Sequence, residues 1–209
     1  MKYLLAATAL FGFLTVTSSG AKSERPLRDI AKLSYNECKF SLLDAPQSLI
    51  VGHISDLTVE GRYANGSENH ATFTFARSGH AVGKIDIDDL YNPNGWFTVA
   101  PDSKAFAITW SDGGAIGNFH TRVFVITPRG KIEEQSAPVR IVMQDFESHH
   151  YCKARGDNFL AVRWLTPHEL LLEASVYPTS DCGSDLGYTD RYAVRLTSGQ
   201  IEQKVHVRQ

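Results

Sequence analysis

The chain has 209 residues, with 21 Lys and Arg against 23 Asp and Glu, a formal net charge of −2 and 43% hydrophobic residues. Both signs of charge are interspersed and no basic stripe exists, which excludes the electrostatic footprint of a nucleic-acid-binding protein. Aromatics at 11% and 16 glycines suit a β-rich structure with many tight turns.

Lys2 precedes an uninterrupted apolar run, Leu4 to Val16, and small residues follow at Ser19 and Ala21. A basic start, a short apolar core and a small-residue site predict a secretory signal peptide over residues 1–21, cut between Ala21 and Lys22. The run is shorter than the ~20 residues a spanning helix needs. No Cys stands near the cut to take a lipid anchor, and no later segment is apolar enough to span. The expected product is therefore periplasmic or secreted, without stable membrane insertion, as one β-repeat domain over residues 22–209.

Leu27 to Tyr35 places Leu27, Ile30 and Leu33 or Ser34 on one helical face, which predicts a short helix or an irregular arm. From Leu49 the period changes to two. Strands are expected at Leu49–His53, Leu57–Tyr63, Ala71–Ala76 and Ala81–Ile87, with turns at Asn65-Gly66-Ser67 and Ser78-Gly79. Asn65-Gly66-Ser67 also spells a glycosylation acceptor, and reads here as a turn. Asp86 and Asp88 share a strand face, where a calcium site competes with a solvated strand edge; the edge is preferred and no metal is expected. Trp96–Val99, Ala105–Trp110 and Arg122–Thr127 form a meander punctuated by Pro-Asp-Ser-Lys, Asp-Gly-Gly and Pro-Arg-Gly. Val139–Met143 reads as a further strand, and Gln144 to Asn158 as a polar loop. Its adjacent His149 and His150 diverge on strand or helix alike, making them poor partners for one metal. Phe159–Leu165, Glu169–Val176, Arg191–Leu196 and Gln200–Val207 complete the strands.

Setting Arg191 on Arg122 superposes TRVFVITPRGKIEE on DRYAVRLTSGQIEQ, with Arg, Val, Gly, Ile and Glu identical. A weaker copy precedes both, in which Ala71–Gly79 matches Arg122–Gly130. The repeat units run over about 49–90, 96–138 and 159–209, and each is a meander that must stack on its neighbours to bury a face. The unit resembles the blade of TolB-type and WD40-like β-propellers, through Ala100-Pro101-Asp102-Ser103-Lys104 entering AFAITW and then RVFVITPRGKI. The resemblance covers about half the chain. The last copy, with Thr166-Pro167-His168-Glu169, lacks the Asp of the turn. Propellers close with ~4–8 blades, so three copies imply an all-β fold of repeated antiparallel meanders: an incomplete propeller, a stack completed by a partner, or a β-sandwich.

Three cysteines fall in the mature part. In an oxidising compartment the pair Cys152–Cys182 is favoured, because both flank the last meander, leaving Cys38 over. Closing that loop should stabilise by about 3–4 kcal/mol on the chain-entropy model.

One polar constellation can be assembled from the long loops: Asp112, His120, Arg122, His149, His150, Arg155, Asp181, Asp185 and Arg191. Stacked repeats could bring these to one rim as a binding site, or pair His120 or His150 as a base with an Asp as its orienter. The plainer reading of Arg122 and Arg191 is a structural ion pair or a cap on a neighbouring carbonyl. Trp110, Trp164 and Tyr177 read as core or rim packing. No nucleophile elbow, His-x-x-x-His, Cys-x-x-Cys or phosphate loop is present, and no cofactor is expected. The expectation is an exported binding or interaction module, meeting another envelope protein or a small ligand. A secreted hydrolase using the His/Asp/Arg loops and a structural envelope component are the alternatives.

Overall fold

The computed structural model describes residues 29–42, 49–64, 69–90, 94–113, 118–149, 157–176 and 187–207. Three antiparallel sheets form the frame. The first contains β2 (Leu49–Ile54), β3 (Leu57–Ala64), β4 (His70–Arg77) and β5 (His80–Ile87), in that order. The central sheet adds β1 (Cys38–Ser41) to the edge of β6 (Asn94–Val99), followed by β7 (Ala105–Ser111), β8 (Phe119–Ile126) and β9 (Ile132–Glu134). The third holds β10 (Asp157–Thr166), β11 (Glu169–Val176), β12 (Tyr188–Arg195) and β13 (Ile201–Val207). Each is an all-β meander, and the strands close no barrel among the described residues.

The turns follow from local chemistry. The Asp102 carboxylate accepts from Lys104 N at 3.1 Å, and Ala100 and Ala105 close the turn at 2.9 Å. Asp at this position mimics a backbone turn, as expected of an Asx motif. The aligned glycines Gly130 and Gly199 both adopt positive φ, 79° and 66°, where a side chain would be strained. This conformational demand explains why the repeat keeps Gly at that place.

The central sheet is buried on both faces. On β7, Phe106, Ile108 and Trp110 point to the first sheet, joining Phe40, Phe73, Phe75, Phe97 and Phe124 in one core. Ala105 and Ala107 point the other way and pack against Phe159, Trp164, Leu170, Leu172 and Tyr192 of the third sheet. Small residues on that face let β10 approach closely, and its edge backbone would otherwise be unpaired. Thr121 Oγ1 donates to Phe159 O at 2.7 Å, Ala161 N donates to Thr109 Oγ1 at 3.3 Å, and the two hydroxyls are 2.8 Å apart. Each hydroxyl has one proton, so Thr109 must donate to Thr121. Trp96 Nε1 adds a bond to Ala161 O at 3.2 Å, and Trp164 Nε1 one to Thr98 O at 2.9 Å.

The expected strand at Val139–Met143 is instead part of a helix, α1 (Ala137–Ser148). Its β-branched Val139, Ile141 and Val142 suggest a strand, but Pro138 opens the first turn, where a missing N–H costs nothing. The buried residues Pro138, Val142 and Phe146 are spaced by four and lie on one face, and Val142 and Phe146 enter the core shared with the third sheet. That tertiary burial outweighs the local strand preference. The expected N-terminal helix or arm is a 3-10 turn at Ile30–Lys32 within an arm lying across the outer face of the third sheet.

Candidate functional site

Among the described residues, one interlocked polar cluster forms where α1, β12 and β13 converge. Register places Asp190 opposite His206 and Tyr192 opposite Lys204, so all four share one face of the sheet. Helix α1 lays Asp145 over them. Lys204 Nζ sits 2.6 Å from Asp145 Oδ2 and 3.4 Å from Asp190 Oδ2, and 5.2 Å from the centre of the Tyr192 ring. The Tyr192 hydroxyl donates to Asp145 at 3.0 Å and reaches Asp190 at 3.4 Å. His206 Nδ1 lies 2.9 Å from Asp190 Oδ1. His149, at the C-terminal end of α1, lies 3.8 Å from the Asp145 carboxylate.

Electrostatics follow from this packing. Burial, then the charges of Asp190 and Asp145, push the Tyr192 phenol far above its usual range, so it remains a neutral donor. Burial also acts to raise Asp145, but hydrogen bonds from Lys204 and Tyr192 outweigh it and hold the carboxyl below its ordinary value. The cluster thus keeps one ammonium between two carboxylates, on rigid elements, with the imidazoles of His149 and His206 on its exposed side.

A second constellation lies at the β7–β8 hairpin. His120 Nε2 is 3.2 Å from Asp112 Oδ2, and its ring lies 5.6 Å from that of Trp110. Asp112 Oδ1 also accepts from Asn118 N at 2.6 Å, which closes the loop and fixes the carboxylate. This is a base with its orienter. Among the described residues no hydroxyl or thiol bonds the imidazole.

The structure brings Asp112 and His120 together, while Arg122, His149 and Arg191, the other expected site residues that are described, have separate partners. Arg122 donates to Asp86 O at 2.8 Å and to Glu134 at 2.6 Å, clamping the central sheet to the first. Arg191 lies on the opposite face of β12 from Tyr192, bonded to Glu173 at 2.8 Å and to carbonyls of the arm. Both arginines are structural in their contacts. Asp86 and Asp88 engage His70, at 3.3 and 2.8 Å, and Asp86 also takes Thr72 and Lys84. His150, Arg155, Asp181, Asp185, Cys152 and Cys182 lie outside the described residues, as does Tyr177. Cys38 is an exposed free thiol on β1.

Asp145, Asp190, Tyr192, Lys204 and His206 were not among the sequence candidates. Asp145 was hidden by reading the start of α1 as a strand. The others carried a usable signal: Asp190 and Tyr192, and Lys204 and His206, are pairs two apart on neighbouring strands, with complementary charge across the ladder. Among the described residues no group of three or more His, Cys, Asp or Glu is placed to hold a metal, and no helix is long and apolar enough to cross a membrane. No protein-family model, curated protein or solved structure shows significant similarity to this chain.

Proposed function

We propose that the chain is an exported β-repeat binding or interaction module, meeting an envelope protein or a small ligand at the end of the third sheet where α1, β12 and β13 converge. One observation carries this reading. Asp145, Asp190, Tyr192 and Lys204 are interlocked on three regular elements, with the imidazoles of His149 and His206 on the exposed side. Exposed polar side chains held in place by a rigid, interlocked polar base suit a recognition surface. The TolB-like turn punctuation fits the same reading, as does the basic, apolar and small-residue pattern of residues 1–21.

The test compares mature wild-type chain with a His149→Ala/His206→Ala variant in crosslinking pull-downs from envelope extract. Both imidazoles are more than half exposed, and Asp190 keeps Lys204 and the Tyr192 hydroxyl when His206 is removed, so thermal unfolding should fall only slightly while capture of the partner is abolished. No partner above background, or a partner held equally by both chains, defeats the reading. The hydrolase alternative has one observation in its favour, the Asp112–His120 pair. It requires measurable turnover on an ester, glycoside or phosphate panel that His120→Ala abolishes.

A further inference from the structure

The outer face of the third sheet is apolar, and residues 29–36 lie across it. Val162, Leu171 and Ala193 form the seat, flanked by Leu165 and Val205. Ile30 enters this cluster at 1% exposure and Leu33 packs beside it. Arg191 supplies the polar half. Its Nη1 donates to Ile30 O at 3.2 Å, Ala31 O at 3.0 Å and Leu33 O at 2.7 Å. The Tyr35 ring covers the guanidinium at 5.8 Å, and its hydroxyl donates to Glu173 at 2.8 Å. One backbone bond, Asn36 N to Val162 O at 2.8 Å, completes the contact.

These are the contacts of a short bound peptide. One aliphatic anchor fills an apolar seat, a charged donor reads three carbonyls of a single turn, and an aromatic ring closes over it. The arm adds no strand to the sheet, and apart from Ile30 its residues are half-buried or exposed. So small an attachment should open at less cost than unfolding the sheets.

We propose that this face is a peptide-docking groove, filled reversibly by the chain's own arm and, in trans, by the arm of a second copy. An identical arm offers identical contacts, so exchange between two copies loses none of them and changes only the closure entropy of the connection. Glu37, between the arm and β1, is the hinge the exchange would use. The groove lies on the opposite face from Asp145 and Lys204, so its failure and that of the proposed recognition surface are separable.

The test uses the mature chain over residues 22–209, wild type and Ile30→Asp, with a labelled peptide of residues 29–37. Ile30→Asp cannot seat its own arm, whereas in the wild type the arm lowers apparent affinity by the fraction of grooves that are open. The peptide should therefore bind folded Ile30→Asp about tenfold or more tighter than wild type. Adding Arg191→Ala should abolish that binding. Sedimentation should show a concentration-dependent dimer in wild type that Ile30→Asp lacks. Equal peptide affinity for the two chains, no saturable binding to folded Ile30→Asp, or a monomeric wild type at every concentration overturns the proposal. Should Ile30→Asp not fold, Ile30→Ala, with a weakened seat, must bind the peptide measurably tighter than wild type. Loss of cooperative folding in Ile30→Ala as well would place the arm in the global core and overturn the proposal too.

Discussion

Arg191 and Arg122 occupy aligned places in the repeat, yet their removal should have unequal consequences. The Arg191–Glu173 pair spans 2.8 Å with side chains only 10% and 13% exposed, whereas Arg122–Glu134 spans 2.6 Å at 32% and 39%. Arg191→Ala strands Glu173 in a poorly hydrated site and takes the donor from three arm carbonyls. Breaking a buried pair by removing one partner costs about 3–5 kcal/mol. Burial and the Glu173 charge hold the Tyr35 phenol well above its ordinary range, so its hydroxyl still donates to the orphaned carboxylate. That leaves the cost at the lower end, about 3 kcal/mol. Arg122→Ala breaks a pair that water already screens and should cost about 0–1 kcal/mol. Glu173→Ala in the Arg191→Ala background removes the stranded charge, so the two changes should be non-additive by about 1–3 kcal/mol. Urea unfolding followed by tryptophan fluorescence measures these three variants and Glu173→Ala alone, which completes the cycle. A loss for Arg191→Ala no greater than that for Arg122→Ala would refute the reasoning.

Asp145 has a depressed pKa in the folded chain, so its stabilisation is present above the unfolded carboxylate pKa and is lost as pH falls through the folded value. Asp145→Asn should therefore flatten the acid limb of the melting temperature against pH, and an unchanged limb would contradict it. Thr109→Val leaves the Ala161 N–H without its acceptor at the seam between the central and third sheets, which should cost about 1–3 kcal/mol in chemical denaturation. Gly95 has no room for a side chain, since a Cβ there would lie 2.5 Å from Thr109 O and 2.6 Å from the Phe40 ring. Gly95→Ala should cost about 1–3 kcal/mol by pushing β6 off the β7 backbone and displacing the Phe40 ring of β1, and a wild-type denaturation midpoint would show that these neighbours yield freely.

Most of the frame was legible because its strands obey a strict period of two. β3 alternates Leu57, Val59 and Gly61 inward with Thr58, Glu60 and Arg62 outward. Where the period failed, so did the reading. In α1 the residues Val139, Ile141 and Val142 favour a strand locally, and only burial of Val142 and Phe146 against the third sheet settles the helix. β1 and β9 are too short to carry a pattern, and exist because β6 and β8 offer them an edge. The Asp112–His120 pair could be anticipated from one hairpin. The β12–β13 half of the cluster around Lys204 is open to the same reasoning, but Asp145 is not, since α1 reaches that face only through long-range packing.

The aligned faces explain how three meanders finish a fold. Through the ladder register, Ala105 and Val125 on the central sheet correspond to Leu170 and Val194 on the third. Ala105, Ala107 and Val123 then correspond to Leu170, Leu172 and Tyr192, and all six meet in the same core. Phe106 and Phe124 correspond to Leu171 and Ala193, which point away from each other, to the first sheet and to the arm. Equivalent faces therefore meet each other, as in layered sheets, so the central sheet spends both of its faces and each outer sheet keeps one. The first sheet ends the stack with Thr58, Glu60, Arg62, Thr72, Thr74, Lys84 and Asp86 along its outward positions, a mostly polar surface with Ile50 exposed on its edge strand. The third sheet ends it with an apolar face closed by Ile30 and bolted through Arg191. Repeat arrays need terminal units with a covered or polar outer side, and this chain meets that requirement at its two ends by different means. One end is sealed by sequence, the other by a strap that another copy could replace.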